Sequence, residues 1–364
     1  MKSKAKFGIR IVTLILLGCI ILGAAAGYYI HKKSADHPIP IKVLLLPKFE
    51  IGAMTGDAPG EAQFYYDAYL HDADSYVIPN GLSNSRLYVK DGVALYVTGM
   101  GKVNAALSTA AVLTDRRFDF SDAYIMSVGC CGSSRDTTVM GDVFVISAVA
   151  DYDLGHHADT REMENPDSVT WFHDDLYDGS AIVTLNTALT DQVFELVRDV
   201  KLETTDATRR HMLETFDNAE WAGRDPAVLR GTSVCGDNYW KGTFDHENAL
   251  KIVRTYGCAD PFTAAEMEDI AVANAAKRLG MLDRLIILRV SVNMDVFMLG
   301  DSPERLWSPE DNGLEDPNNL EYKDIFPVSM ENNFNVGKVI IEAILNGTLT
   351  ATRTGSLLSP NRHV

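Results

Sequence analysis

Short, wholly apolar runs constrain this chain most. IKVLLLP (41–47), GVALYVTG (92–99), AYIMSV (123–128), VFVISAV (143–149) and RLIILRV (284–290) each have the length of a strand and little polar alternation. Strands of that kind are covered on both faces. GTSVCGD (231–237) reads as another strand and turn. Between these runs the apolar period becomes helical. Val103, Ala106, Leu107, Ala110, Ala111 and Leu113 are expected on one buried helical face, and Leu189, Val193, Leu196, Val197 and Val200 on another within 188–201. A third helix is expected to open on the capping-box pattern TAAE (Thr263–Glu266) and end at Gly280. A last one, over 332–346, should stop at Gly347. Strands alternating with helices define an α/β chain with a largely parallel sheet, whose ligands sit beyond the carboxyl ends of the strands.

The charge is lopsided. The 364 residues carry 33 basic and 50 acidic side chains, and residues 1–30 hold four of the basic ones (Lys2, Lys4, Lys6, Arg10) and no acidic one. The remaining 29 against 50 give a formal −21, which disfavours nucleic acid and anionic lipid as partners of a basic face. After MKSKAKFGIR comes IVTLILLGCIILGAAAGYYI, long enough to span a bilayer. Residues 1–30 therefore read as a cleaved signal peptide or an uncleaved membrane anchor, and either exports the rest to a periplasmic or extracellular face. HKKSADHPIP (31–40) follows as a linker, 41–349 as one domain, and 350–364 as a disordered tail. Cys130, Cys131, Cys235 and Cys258 have no zinc-ligand spacing and are expected to pack as buried thiols.

Four segments lie where chemistry is expected. In TGMGKVNAA (98–106), Gly99 and Gly101 let a strand turn into a helix whose free amides suit an anion or hydroxyl. In SVGCCGSS (127–134), amides from Gly129 to Gly132 form a nest, to which Cys130, Ser133 and Ser134 add side chains. Tyr239 and Trp240 in VCGDNYWKG offer a stacking wall for a flat ring, or a cap on the core. Met267 and Glu268 in AEMEDIA place a carboxylate beside the buried stripe of a helix, where it suits two vicinal hydroxyls. Asn293, just past a core strand, presents a donor and an acceptor to the edge of a heterocycle. His156, His157 and Asp159 in GHHADTRE have no companion cluster and read as a polar loop. Residues 300–327 form an acidic loop with four prolines, suited to be a lid or a solvated insertion.

In this order, GMGKVNAA, DAYIMSVGCCGSS, MGDVFVISAVADYDLGHHADTRE, GDNYWKG, EDIAVANAAKR, ILRVSVNMD, PERLW and ENNFNVGKVIIEAI resemble the purine nucleoside permease-like family, within the nucleoside phosphorylase/nucleosidase superfamily. The resemblance implies a three-layer αβα fold around a mixed sheet. Tyr239 and Trp240 match the aromatic turn beside the base, Met267 and Glu268 the pair that holds the sugar, and Asn293 the residue at the purine's N7 side. It differs from phosphorolytic relatives in carrying Met126, Ser127 and Val128, with no arginine, ahead of the glycine turn, and Cys130 stands where a serine touches phosphate or the nucleophile. Where hydrolytic relatives carry a water-activating glutamate, Gly52 stands, and Glu50 is the nearest carboxylate. Two readings follow. One is cleavage of the N-glycosidic bond of purine nucleosides, aided by Asn293 and Glu50, with water or inorganic phosphate as the attacking group and no other cofactor. The other is a non-catalytic nucleoside-binding component of uptake. The relatives also imply a homo-oligomer.

Overall fold

The structure, a computed structural model, describes residues 37–155, 162, 164–165, 178–216, 223–300 and 325–350. The N-terminal apolar segment, His156, His157 and Asp159, most of the acidic loop, and the tail beyond residue 350 lie outside the described residues. The chain runs β1 (Ile39–Pro40), β2 (Val43–Leu46), α1 (Gln63–Tyr69), β3 (Asp74–Tyr76), β4 (Leu87–Lys90), β5 (Val93–Leu95), α2 (Lys102–Leu113), β6 (Phe118–Asp119), β7 (Tyr124–Ser133), β8 (Val143–Asp151), β9 (Ile182–Thr184) and α3 (Thr187–Val197). It continues through α4 (Asp206–Thr215), β10 (Val228–Cys235), α5 (Thr243–Thr255), β11 (Phe262–Glu266), α6 (Asp269–Arg278), β12 (Leu285–Met294) and α7 (Phe326–Leu345).

The apolar runs form the centre of a mixed sheet ordered β11–β10–β8–β12–β7–β2–β5–β4–β3, with β9 against β8. Strand β2 shows why these runs lack alternation. Leu44 and Leu46 face a core shared with α2 and α6, while Val43 and Leu45 face one shared with α1, α3 and α7. All four are fully buried, each contributing about 1.5–3 kcal/mol. Helices on both faces make the three-layer α/β architecture.

Strand β7 positions the site. Its first half runs parallel to β2 and its whole length parallel to β12, but Gly132 and Ser133 pair antiparallel with Ala265 and Ala264 of β11. That pairing closes β11, β10, β8, β12 and β7 into a ring, with the carboxyl ends of β7 and β12 at the opening. Residues Thr263–Glu266 are therefore strand, and α6 begins only at Asp269. The capping-box pattern is outweighed by ladder pairing with both β7 and β10, yet Glu266 still caps the helix from a distance: its carboxylate accepts the N–H groups of Glu268 (2.6 Å) and Asp269 (2.7 Å).

Helix α2 is rotated partly off the expected face: Ala106, Ala111 and Leu113 pack against the core, but its two largest members near the N-terminus do not. Val103 and Leu107 are 68% and 63% exposed, whereas Ala105, Ser108, Thr109 and Val112 are buried. The buried face consists mostly of small side chains, which permit close approach of α6. Among the described residues, no helix is long and apolar enough to cross a membrane.

Candidate functional site

A cavity of about 340 Å³ opens where β7, β11 and β12 converge, a size suited to a small ligand. Its apolar walls include Phe49, Ile51, Met100, Val292 and Phe326, with Cys130, Gly132 and Met267 also lining it; Glu61, Tyr239, Glu268 and Asn293 are among its polar lining residues, as are Lys48, Glu266 and Arg289.

The VGCCG stretch is strand rather than the expected turn and amide nest, because it pairs with β12 and, at Gly132, with β11, and its two glycines make room for two of those side chains. A Cβ on Gly129 would lie 2.5 Å from Glu61 Oε1, and one on Gly132 would lie 2.9 Å from Asn293 Oδ1. Glu61, in the loop before α1, is held by the backbone: Cys130 N–H donates to Oε1 (2.8 Å) and Lys48 N–H to Oε2 (2.6 Å). Burial raises its pKa above the usual glutamate range. Cys130 and Cys131 are free thiols beside it, and burial raises both well above the ordinary thiol range. Thiolate chemistry is disfavoured there.

A bulge directs Asn293. Ser291 pairs with Cys131 and Asn293 with Gly132, so Val292 is the extra residue on β12. Asn293 Nδ2 donates to the Tyr239 hydroxyl at 2.6 Å. Tyr239 is half exposed and lines the cavity. Trp240 does not line it; its indole stacks on Tyr152, 4.9 Å between centroids, and leans on Phe262. Of the aromatic pair, Tyr239 lines this cavity, while Trp240 packs on the core and borders only a smaller adjoining cavity.

Glu268 sits at the other end. Its Oε1 accepts Gly101 N–H (3.0 Å) and its Oε2 accepts Arg289 Nη2–H (3.1 Å). Gly101 and Gly99 both have left-handed φ, +86° and +83°, which brings the Gly101 amide round to face the carboxylate. Gly99 itself does not reach the cavity. Arg289 is fully buried and also holds Asp269, through Nε (2.8 Å) and Nη2 (2.8 Å), Glu266 (3.0 Å) and the Cys130 carbonyl (2.8 Å). Burial alone would raise Asp269, but the guanidinium holds it below the usual aspartate range. Glu266 is pushed up to about 7 by burial and then by Asp269. Lys48 Nζ, lowered by burial, donates to Leu46 O (2.6 Å) and Ser127 Oγ (2.7 Å).

Glu50 is placed differently from the expectation. Its carboxylate accepts the N–H groups of Ile51 (2.9 Å), Gly60, Ala62 (2.9 Å) and Gln63 (2.7 Å), which ties the loop to the start of α1. It is not among the residues that line the cavity. The lining carboxylate of that loop is Glu61, which no spacing in the sequence singles out. Arg289 did carry a signal, a lone charge inside a core strand.

Residues 40–351 match the purine nucleoside permease (NUP) family. The chain belongs to this family. Among relatives of this NUP protein, a Schizosaccharomyces pombe protein named "Probable purine nucleoside permease" is 25% identical over 79% of this chain and 86% of its own. A purine nucleoside permease of Candida albicans is 25% identical over 53% of this chain and 52% of its own, so that match spans about half of each. Two solved structures share the fold. The 5′-methylthioadenosine/S-adenosylhomocysteine nucleosidase of Colwellia psychrerythraea, in complex with adenine, aligns with a TM-score of 0.51 at 17% identity, covering 86% of this chain and 97% of that one. The futalosine hydrolase of Helicobacter pylori aligns at 0.51 with 15% identity, covering 83% and 97%.

Proposed function

We propose that this NUP-family protein binds purine nucleosides and hydrolyses their N-glycosidic bond. The carrying observation is that Glu61, Glu268 and Asn293 converge on one cavity. Glu268 suits the vicinal sugar hydroxyls, with Arg289 fixing its orientation. Asn293, aimed by the β12 bulge, faces the base, where an amide donor stabilises the charge that develops as the base departs. Glu61, buried with a raised pKa, suits the base that takes a proton from attacking water. In that step oxygen bonds to the anomeric carbon, the C–N bond breaks, and its electron pair leaves with the purine.

Water is favoured over phosphate by the charges of the wall. Among the lining residues, Lys48 Nζ is engaged by Leu46 and Ser127 and Arg289 by three carboxylates, while Glu61 repels an anion. The apolar N-terminal run supports the further proposal that the domain is exported and held at a membrane or secreted. Membrane fractionation and N-terminal sequencing of the expressed full chain distinguish the two.

A second reading rests on the family's description as permeases: a nucleoside-binding component of uptake that does no chemistry. Incubating the protein with purine and pyrimidine nucleosides, with and without phosphate, separates the readings by chromatography of free base. Release from purine nucleosides without phosphate is expected. Release that requires phosphate replaces hydrolysis by phosphorolysis, and saturable binding without release leaves the uptake reading.

A further inference from the structure

Asn293 can donate a hydrogen bond to a departing base, but an amide has no acidic proton to give. A base that leaves as an anion must still be neutralised. Deepening the cleavage reading and resting on it, the structure points to where that proton is kept.

Next to the main cavity, and sharing Gly132, Tyr239 and Asn293 with it, lies a smaller one of about 30 Å³ whose polar lining includes Asn238 and Asp295. It has room for ordered water with several polar partners. Behind it, Asp295 is a junction. Its N–H donates to Ser133 O and its carbonyl accepts Gly242 N–H at the head of α5, while Oδ1 accepts Arg135 N–H (3.3 Å). Its Oδ2 lies 2.6 Å from Nδ1 of His246, which is fully buried on α5. The other ring nitrogen, Nε2, lies 3.0 Å from Oδ2 of Asp136, whose side chain is 49% exposed.

Both imidazole nitrogens therefore face carboxylate oxygens. A neutral imidazole has one N–H and one bare nitrogen, and the bare one against a carboxylate would set lone pair on lone pair. The arrangement is satisfied when the cluster holds one proton more than a neutral imidazole with two carboxylates. Burial alone would lower His246, but Asp295 and then Asp136 raise it above the ordinary histidine range. The Arg135 guanidinium, 3.4 Å from Asp136 Oδ1, faces the outer end, and β11 brings the ring of Phe262.

We propose that His246 is the acid that neutralises the departing base, acting through Asp295 and water in the small cavity. As the C–N electron pair moves onto the base, the Nδ1 proton of the imidazolium passes to Asp295 Oδ2, the carboxylic acid so formed gives that proton to the water, and the water gives one of its own to a ring nitrogen of the base, leaving Asp295 a carboxylate again. Neutral His246 keeps its Nε2–H on Asp136. After the base leaves, solvent entering the emptied cavity returns the proton by the same route. Asp136 is a positioning residue that keeps the ring charged.

The test compares inosine with 7-methylinosine, whose base is already cationic and departs without taking up a proton. In the full-length protein, His246→Gln is expected to lower the rate with inosine about 10²-fold, and with 7-methylinosine less than about threefold. The wild-type rate with inosine should fall as pH rises through the raised pKa of His246; with 7-methylinosine that alkaline limb should be absent. Asp136→Asn, at the exposed end where folding is least at risk, should move the limb for inosine to lower pH. Equal losses with both substrates, or an alkaline limb that Asp136→Asn does not move, would overturn the relay and leave the cleavage reading standing. A wild-type protein that releases base from neither nucleoside overturns the cleavage reading and the relay with it.

Discussion

Glu50 and Glu61 belong to one loop, yet their carboxylates are spent on different partners. Four backbone N–H groups of its own loop and α1 hold Glu50, whereas two from β7 and the end of β2 aim Glu61 at the cavity. Glu61→Gln keeps the shape and removes the proposed base. Base release should fall at least about 10²-fold while nucleoside affinity stays within about threefold, as read by single-turnover kinetics and calorimetry. Glu50→Ala should instead cost about 1–3 kcal/mol of stability, seen as a lower Tm. Glu61 must be ionised to act, so activity is lost as pH falls through its pKa. Because burial raises that pKa, the acid limb of the rate profile should lie above the ordinary glutamate range of about 4.3. Cys130→Ser should leave binding intact; complete loss would show that the thiol contacts the ligand. At this scale Asn293 and Glu268, which follow core runs directly, were legible in the sequence as candidates, and both line the cavity. Glu61 was not, because a loop carboxylate is brought to the cavity only by a strand distant in the chain.

At the scale of elements, the end of β7 shapes the site by what it lacks. Gly129→Ala would put a methyl group against Glu61, and β7 cannot yield because it is paired with β2 and β12. Base release should therefore drop as in Glu61→Gln, with near-native circular dichroism. Arg289 joins β12 to the head of α6. Arg289→Met leaves Glu266, Glu268 and Asp269 buried without their cation and should cost about 3–5 kcal/mol in denaturant unfolding. The linkage has a sign. The folded pKa of Asp269 is depressed, so its contribution is present above the unfolded value, about 3.9, and is lost as pH falls through the folded one. Wild-type stability should decline in that acid window. Two elements were misjudged from sequence for physical reasons. Local capping at Thr263–Glu266 lost to sheet pairing, and of the face expected to be buried on α2, Ala106, Ala111 and Leu113 pack against the core while Val103 and Leu107 are exposed, because the helix is rotated to bury Ala105, Ser108, Thr109 and Val112.

For the molecule as a whole, the alternation of buried runs and helices made the layered α/β architecture legible. The closure of the sheet was not. Antiparallel pairing of Gly132–Ser133 with Ala264–Ala265 joins segments far apart in the chain, and no local pattern encodes it. The cavity exists because of that closure, so its residues could be assembled from sequence only where resemblance ordered them. The central claim, that a nucleoside bound there is attacked by water, is tested most directly by running the reaction in ¹⁸O-labelled water and weighing the sugar released. Hydrolysis yields free purine and a sugar carrying one label at its anomeric position, with both absent in Glu61→Gln. Unlabelled sugar phosphate formed only when phosphate is added, or bound nucleoside recovered intact, would contradict it.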